Sequence, residues 1–456
     1  MSTDVVPAGA EISHLSEQGG VSGTISGHRI METHSIRPTR VRHIVLWLTV
    51  AAYMITYIDR VVISAAVPVI QQEFGFSLVT MGWILAAFRW GYALFQIPGG
   101  WLGDRIGPRR ALTLIVTWWS LFTSATALAW NALSMAVFRF LFGVGEAGAF
   151  PIATRSLSRW MLPTERGYAQ GLTHAGSRLG ASFTPPIAVF LITTYGWRAP
   201  FVIFGALGIA WAAVWYCYYR DSPDEHPSVN AAERLLIRNA LGSRSKTSRA
   251  VPWRKILSHS NLWVLSLMYA LYGYALALYL DWFPKYLHEH RGFNLKQMGF
   301  YASLPLLAGT LGDLLGGWSS DLLAKRTANL RLARRAVGTG GFLLAALGIT
   351  LATLASDPVA GAWLTCLAVF GLEATVGVSW AVPLDIGGDW AGSVSAVMNT
   401  CGNIGGAISP ALLPYLVRGY GWDAPFLLAA VLCGVAAVLF TRIDAAKSIF
   451  DSEVRR

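Results

Sequence analysis

Long apolar runs alternate with short polar segments along almost the whole chain. The runs fall at about 43–70, 78–101, 111–130, 132–157, 168–194, 199–219, 262–287, 297–320, 333–355, 360–384, 393–417 and 424–443. Each is long enough to cross a bilayer as a helix, which needs about 20 predominantly apolar residues. Strands without partners cannot cross lipid, because their backbone groups stay unsatisfied, and alternating barrel strands of about ten residues are not seen. The pattern predicts an all-α membrane protein with twelve transmembrane helices. Residues 1–42 are polar and read as a disordered cytosolic tail, with no short apolar core and cleavage site of a signal peptide.

Composition agrees with this pattern. Hydrophobic residues make up 54% of the 456 and charged residues 13%, half the charge of an ordinary soluble domain. Mean hydropathy is +0.47. These values exclude a disordered chain, a coiled coil and an ordinary soluble enzyme. The net charge of +11 suggests nucleic acid in a soluble protein, but here it follows the positive-inside rule. Arg37, Arg40, Arg42, Arg105, Arg109, Arg110, Arg159 and Arg166, a run from Arg220 to Lys255, Lys325 to Arg335 and the C-terminal basic residues all fall on one side. The other side holds only Arg198, Lys285, Arg291, Lys296 and Arg418. Both termini are therefore expected in the cytoplasm. The four cysteines lie in apolar stretches without CxxC or metal spacing and read as buried thiols.

The chain repeats itself. Gly99-Gly100-Trp101-Leu102-Gly103-Asp104 recurs as Gly316-Gly317-Trp318-Ser319-Ser320-Asp321, and Tyr195-Gly196-Trp197-Arg198-Ala199-Pro200-Phe201 as Tyr420-Gly421-Trp422-Asp423-Ala424-Pro425-Phe426. The expected organisation is a bundle of six helices over 43–220, a cytosolic linker over 221–258, a second six-helix bundle over 259–443 with pseudo-two-fold symmetry, and a cytosolic tail over 444–456. Parallel repeats of this kind place a ligand site between the halves at mid-membrane.

Gly100-Trp101-Leu102-Gly103-Asp104-Arg105-Ile106-Gly107-Pro108-Arg109-Arg110 resembles the loop 2–3 signature of the major facilitator superfamily. More narrowly, four features resemble its anion:cation symporter family. They are Tyr57-Ile58-Asp59-Arg60, Gln96-Ile97-Pro98-Gly99-Gly100-Trp101, Arg139-x6-Glu146 with Gly143 and Gly148, and Trp160-x2-Pro163-x-Glu165-Arg166-Gly167. The resemblance covers nearly everything from about 43 to 443. It implies the major facilitator fold and a transporter of sugar acids or other organic anions.

A charge in the bilayer core is costly and marks function by default. The first half carries Asp59, Arg60, Arg89, Arg139, Glu146 and Arg178 within its spans, the second Asp281, Asp313 and Glu373. Four arginines beside two carboxylates make the first half a surplus of fixed positive charge that attracts anions. Arginine matches a carboxylate with two parallel hydrogen bonds. Arg60 is the expected clamp on the substrate carboxylate, a role the resemblance also implies; the competing reading is a permanent ion pair. Asp59 and Arg60 point about 100 degrees apart on a helix and do not naturally pair.

The resemblance implies that Glu146 accepts the coupling proton and Arg139 regulates its charge; Asp59 reads as a second proton site or as a cap on Arg139 or Arg178. The competing reading is a structural pair. Gly143, Gly145 and Gly148 are expected to leave Glu146 little shielded from the cavity. Arg89, Tyr92 and Gln96 form a polar stripe on the second span; Arg89 departs from the family pattern and either contacts the anion or pairs with Asp59. Arg178 is either a ligand contact or an inter-helix pair, and His174 beside it reads as a hydrogen-bonding wall residue. Tyr57, Tyr279, Trp380, Asn399 and Asn403 complete the expected substrate site, with helix packing the alternative for Tyr279 and Trp380. Gly100, Asp104, Arg105, Gly107, Arg109 and Asp321 are expected to latch helix ends. Glu373 has no assigned role; Asp281 reads as an interface or gate residue and Asp313 as structural.

The resulting expectation is a monomeric secondary transporter of a bacterial inner membrane, not an enzyme. It would import a small organic anion, foremost a sugar acid such as an aldonate, uronate or aldarate, by proton symport and alternating access. A proton-antiport exporter of drugs or metabolites is the alternative, disfavoured because the fifth span lacks a Gly-Pro-x-Gly-Gly-like exporter signature. The expected partners are the anion, protons and the lipid bilayer; nucleic acid, cofactor and metal are not expected.

Overall fold

The computed structural model describes residues 37–162, 165–241, 251–387 and 390–449. Residues 1–36 of the tail expected to be disordered over 1–42, part of the linker (242–250), the last residues (450–456) and Pro163 of the family motif lie outside them, as do the side chains of Asp104 and Arg166; the end of that tail is instead ordered, with Thr39 and Arg42 bonded to Glu233 and Val41 opening the first helix. The chain divides at Arg37, and Pro38–Arg456 is one compact unit.

In chain order the helices are α1 (Val41–Phe74), α2 (Leu78–Thr126), α3 (Ala132–Glu146), α4 (Ala149–Trp160), α5 (Arg166–Tyr195), α6 (Arg198–Tyr218), α7 (Ala231–Leu241), α8 (Trp253–Ser258), α9 (Ser260–Asp281), α10 (Phe283–Glu289), α11 (Leu295–Thr327), α12 (Leu330–Leu354), α13 (Pro358–Gly387), α14 (Ala391–Tyr420) and α15 (Asp423–Arg442). Among the described residues nine helical stretches are long and apolar enough to cross a membrane. The apolar windows at 168–194 and 393–417 are helical as well, inside α5 and α14, and that at 111–130 is helical up to Thr126, where α2 ends.

Local sequence sets the helix boundaries. α1 ends on Gly75, whose φ of 63° is left-handed, a conformation that glycine enters without steric cost. Asn131 caps α3 and Asn294 caps α11, each in a reciprocal capping box with the residue three positions on. α2 turns sharply at Gly107, with φ 80° and ψ 155°. The sequence repeat has a structural counterpart: Gly196 and Gly421 close α5 and α14 with φ of 87° and 85°, each before a Trp-initiated helix.

In the first half α2 packs on α3 and α6, and α1 on α5; in the second α13 packs on α11 and α12, and α9 on α14 and α15. Between the halves α5 meets α11 and α2 meets α14. These meetings lie toward the ends away from the chain termini, where apolar side chains from Val62 to Leu85 share one cluster with Tyr272 to Ala302. Toward the face carrying the termini, the first half's core is a separate cluster running from Val41 to Ile237. There Glu233 of α7 accepts from Thr39 Oγ1 and from the backbone of Val41 and Arg42, and Arg42 also bridges Glu165.

Glycine lets the helix backbones touch. A Cβ on Gly273 of α9 would lie 2.0 Å from the Gly402 carbonyl oxygen of α14. Gly273→Ala is therefore expected to destabilise the folded protein by about 1–3 kcal/mol, the usual cost of overpacking. Lower thermal stability in detergent checks this; an unchanged melting temperature would show that α9 and α14 separate freely.

Candidate functional site

The buried charges of the two halves converge at the middle of the molecule. Backbone packing of α2 against α3 begins the arrangement. A Cβ on Gly143 would sit 2.1 Å from the Phe88 carbonyl oxygen, and one on Gly91 2.3 Å from that of Phe140. α3 then ends at Glu146, and beyond the break Gly148 lies against Gly99 of α2. The glycines around Glu146 thus serve packing. They do not open it to a cavity as expected, because its side chain is wholly buried.

Arg60 of α1 donates from Nε to Glu146 Oε1 at 2.6 Å. Its guanidinium lies 4.8–5.5 Å from the ring centroids of Tyr57, Phe88, Tyr92 and Phe150. Aromatic faces attract a desolvated cation by about 2 kcal/mol. Arg60 Nη2 and Glu146 Oε2 are buried without a hydrogen-bond partner in the protein. Arg60 is thus held by one edge, with donor capacity to spare.

Asp59 turns the other way, as the helical geometry requires. Trp119 Nε1 donates to its Oδ2 at 3.2 Å, while its Oδ1 has no partner. Arg139 is buried between the rings of Phe88 and Phe142. It reaches the backbone carbonyl of Asp59 at a long 3.5 Å, and its Nε has no acceptor.

The remaining two arginines cross between the halves. Arg89 of α2 donates from Nε to Asp281 Oδ2 of α9 at 2.9 Å, with Nη2 at 2.8 Å. Arg178 of α5 places Nη2 2.5 Å from Glu373 Oε2 of α13, and Tyr272 donates to Glu373 Oε1 at 3.1 Å. These pairs correct two expectations. Arg89 does not pair with Asp59, and the positive surplus of the first half is offset by carboxylates from the second. Both acids are visible in the sequence, but spacing along one helix gives no signal for a partner on another.

Other expected residues lie further from this cluster. Trp380 Nε1 donates to the Tyr269 hydroxyl at 2.8 Å, and Tyr269 stacks on Tyr272, so Trp380 reaches the cluster through aromatic contacts. Tyr279 packs between Phe283 and Phe426 and takes the helix-packing role. Asn403 donates to the backbone of Asn399 within α14. Gln96 is half-buried, its Oε1 without a partner. His174 lies against Tyr53 and Phe150 as part of the wall. The signature loops tie helix ends within their own halves. Arg109 donates from its guanidinium to the Tyr216 carbonyl and from its backbone N–H to the Asp221 carboxylate, Arg105 covers Trp101, and Asp321 and Asp385 flank Arg334. Among the described residues there is no metal-binding cluster of His, Cys, Asp and Glu.

Arg60, Arg89 and Arg178 each pair with a carboxylate, and Arg60, Arg139 and Arg178 each keep a buried nitrogen without an acceptor in the protein. The chain as a whole is similar to known proteins. A family model described as Major Facilitator Superfamily matches residues 49–410. A protein of Cupriavidus necator named a probable sulfoacetate transporter is 41% identical over 401 residues, covering 88% of this chain and 93% of its own. The hexuronate transporter of Bacillus subtilis is 31% identical over 408 residues, covering 88% and 94%. The D-galactonate transporter of Escherichia coli is 31% identical over 410, covering 87% and 93%. A solved bacterial homologue of the human lysosomal transporter Spinster, inward-facing and unoccupied, superposes with a TM-score of 0.73 at 20% identity over 89% of this chain and 97% of its own, a likeness of fold.

Proposed function

The chain belongs to the major facilitator superfamily, and from that premise we propose that it imports a small organic anion with protons by alternating access. It is a multi-pass membrane transporter whose relatives carry organic acids. The reading adds twelve crossings in two six-helix bundles, both termini in the cytoplasm, a bacterial inner membrane and a monomeric unit. The positive-inside asymmetry supports the orientation. The apolar seal at the ends away from the termini supports a state open toward the cytoplasm.

One observation carries the proposal: Arg60 sits in an aromatic enclosure, bridged to the buried Glu146, with a second arm unpaired. A substrate carboxylate competes with Glu146 for the guanidinium. Protonation of Glu146 removes the competitor, so the loaded carrier holds one anion and one proton together. Coupling of this kind offsets the electrical cost of bringing an anion into a negative cell, about 2.3 kcal/mol per charge per 100 mV. The substrate classes that fit are sugar acids, as for the hexuronate and galactonate carriers, and short sulfonated acids, as for the sulfoacetate carrier.

Uptake of labelled acids into proteoliposomes tests this. An inward proton gradient should drive accumulation, and a protonophore should abolish it. Accumulation of the acid that is unchanged by collapsing the proton gradient would sink proton coupling.

A further inference from the structure

We propose that Arg178 is a second anion anchor, occupied by Glu373 until a ligand arrives, so that the site takes a small dianion whose charged groups reach Arg60 and Arg178. This rests on the organic-anion reading above and narrows it to a substrate class: dicarboxylates, or acids carrying one sulfonate and one carboxylate.

The two arginines share one aromatic ring. Their guanidinium carbons lie 5.0 Å and 5.7 Å from the centroid of Tyr57, so they are closer to each other than those two distances laid end to end. A chain of a few carbons spans such a gap. Both guanidinia are nearly buried, and each keeps a nitrogen without an acceptor, Nη2 of Arg60 and Nε of Arg178. Buried donors without acceptors are costly, and a ligand oxyanion satisfies them.

The pairing of Arg178 with Glu373 has the form of an exchangeable contact. Arg178 Nη2 lies 2.5 Å from Glu373 Oε2, while Arg178 Nε is buried without an acceptor. That unpaired edge leaves the guanidinium able to take a ligand oxyanion. Glu373 comes from α13 of the second half and Arg178 from α5 of the first, so the exchange takes place where the halves meet.

Charge balance follows from the same contacts. Each ligand charge that takes an arginine displaces one carboxylate, and a displaced buried carboxylate is neutralised by a proton. Glu373 faces Arg178 on α5, Tyr272 and Tyr269 on α9 and Asp313 on α11, and beyond them His174 on α5 and Tyr57 on α1 neighbour Arg178. Arg178 is the one permanent cation among them, and the neighbouring Asp313 adds negative charge.

Two matched pairs of probes isolate the second charge: D-galactarate against D-galactonate, and sulfoacetate against isethionate. Within each pair a carboxylate replaces a CH2OH group. Binding to the purified full chain is measured by ligand-induced thermal stabilisation and equilibrium binding. The wild type should prefer the dianion of at least one pair by tenfold or more. Arg178→Gln should reduce that ratio to about one. Because this change strands Glu373, Arg178→Gln combined with Glu373→Gln provides a charge-neutral second variant, and it should lose the preference likewise. Monoanions bound as tightly as their dianions in both pairs by the wild type, or a preference that survives in the double variant, overturn the second anchor while leaving the organic-anion reading standing. If none of the four acids binds, the organic-anion reading falls and the dianion inference with it.

Discussion

Arg60→Lys is expected to weaken substrate binding about 100-fold in a protein that still inserts and folds. One side chain plays two separable roles. Arg60 makes a charge pair with the buried Glu146 at 2.6 Å, and a lysine ammonium keeps that charge near the same carboxylate. Arg60→Ala does not. It leaves Glu146 without its cation, and breaking a buried pair from one side costs about 3–5 kcal/mol. Lysine therefore preserves the fold while removing the planar fork. What it loses is the arm that has no partner within the protein, Nη2, the group available to a ligand carboxylate. A loss of about 2.7 kcal/mol corresponds to the 100-fold change, within the range for charge-assisted hydrogen bonds. Binding by Arg60→Lys as tight as that of the parent would show that Arg60 holds Glu146 and nothing else.

Glu146→Gln should separate exchange from accumulation. Glutamine matches the protonated acid in size and still accepts from Arg60, but it releases no proton. The variant resembles the loaded, protonated carrier, so substrate counterflow across proteoliposomes should persist at a rate near that of the parent. Accumulation driven by a pH gradient should fall to the level of equilibration. A variant that still concentrates substrate would remove Glu146 as the obligatory proton carrier and promote Asp59, whose Oδ1 is buried without a partner. Loss of counterflow in well-folded protein would make Glu146 a structural clamp on Arg60.

Much of this was legible in the residues. The apolar windows lie on helices, the repeated Tyr-Gly-Trp segments adopt the same left-handed turn at Gly196 and Gly421, and Asp59 and Arg60 diverge as adjacent helical residues must. What spacing along one helix cannot give is a partner on another. Arg60 with Glu146, Arg89 with Asp281 and Arg178 with Glu373 are separated by 86 to 195 positions in the chain, and they meet only because glycine contacts set the helix crossings. For the same reason Gly143 and Gly145 read as empty space beside Glu146, whereas they are filled by the Phe88 backbone and the Trp118 ring. For Tyr279 residue type leaves substrate contact and helix packing both open, and the neighbouring rings of Phe283 and Phe426 favour packing.

Proton movement with the substrate tests the central claim most directly. Proteoliposomes containing a trapped pH-sensitive dye are given sulfoacetate or D-galactarate outside, with no other gradient imposed and potassium permeability used to clamp the membrane potential. The account predicts that the lumen acidifies as labelled substrate enters, and that Glu146→Gln abolishes the acidification. Substrate entry with an unchanged or more alkaline lumen in the wild-type protein would contradict it.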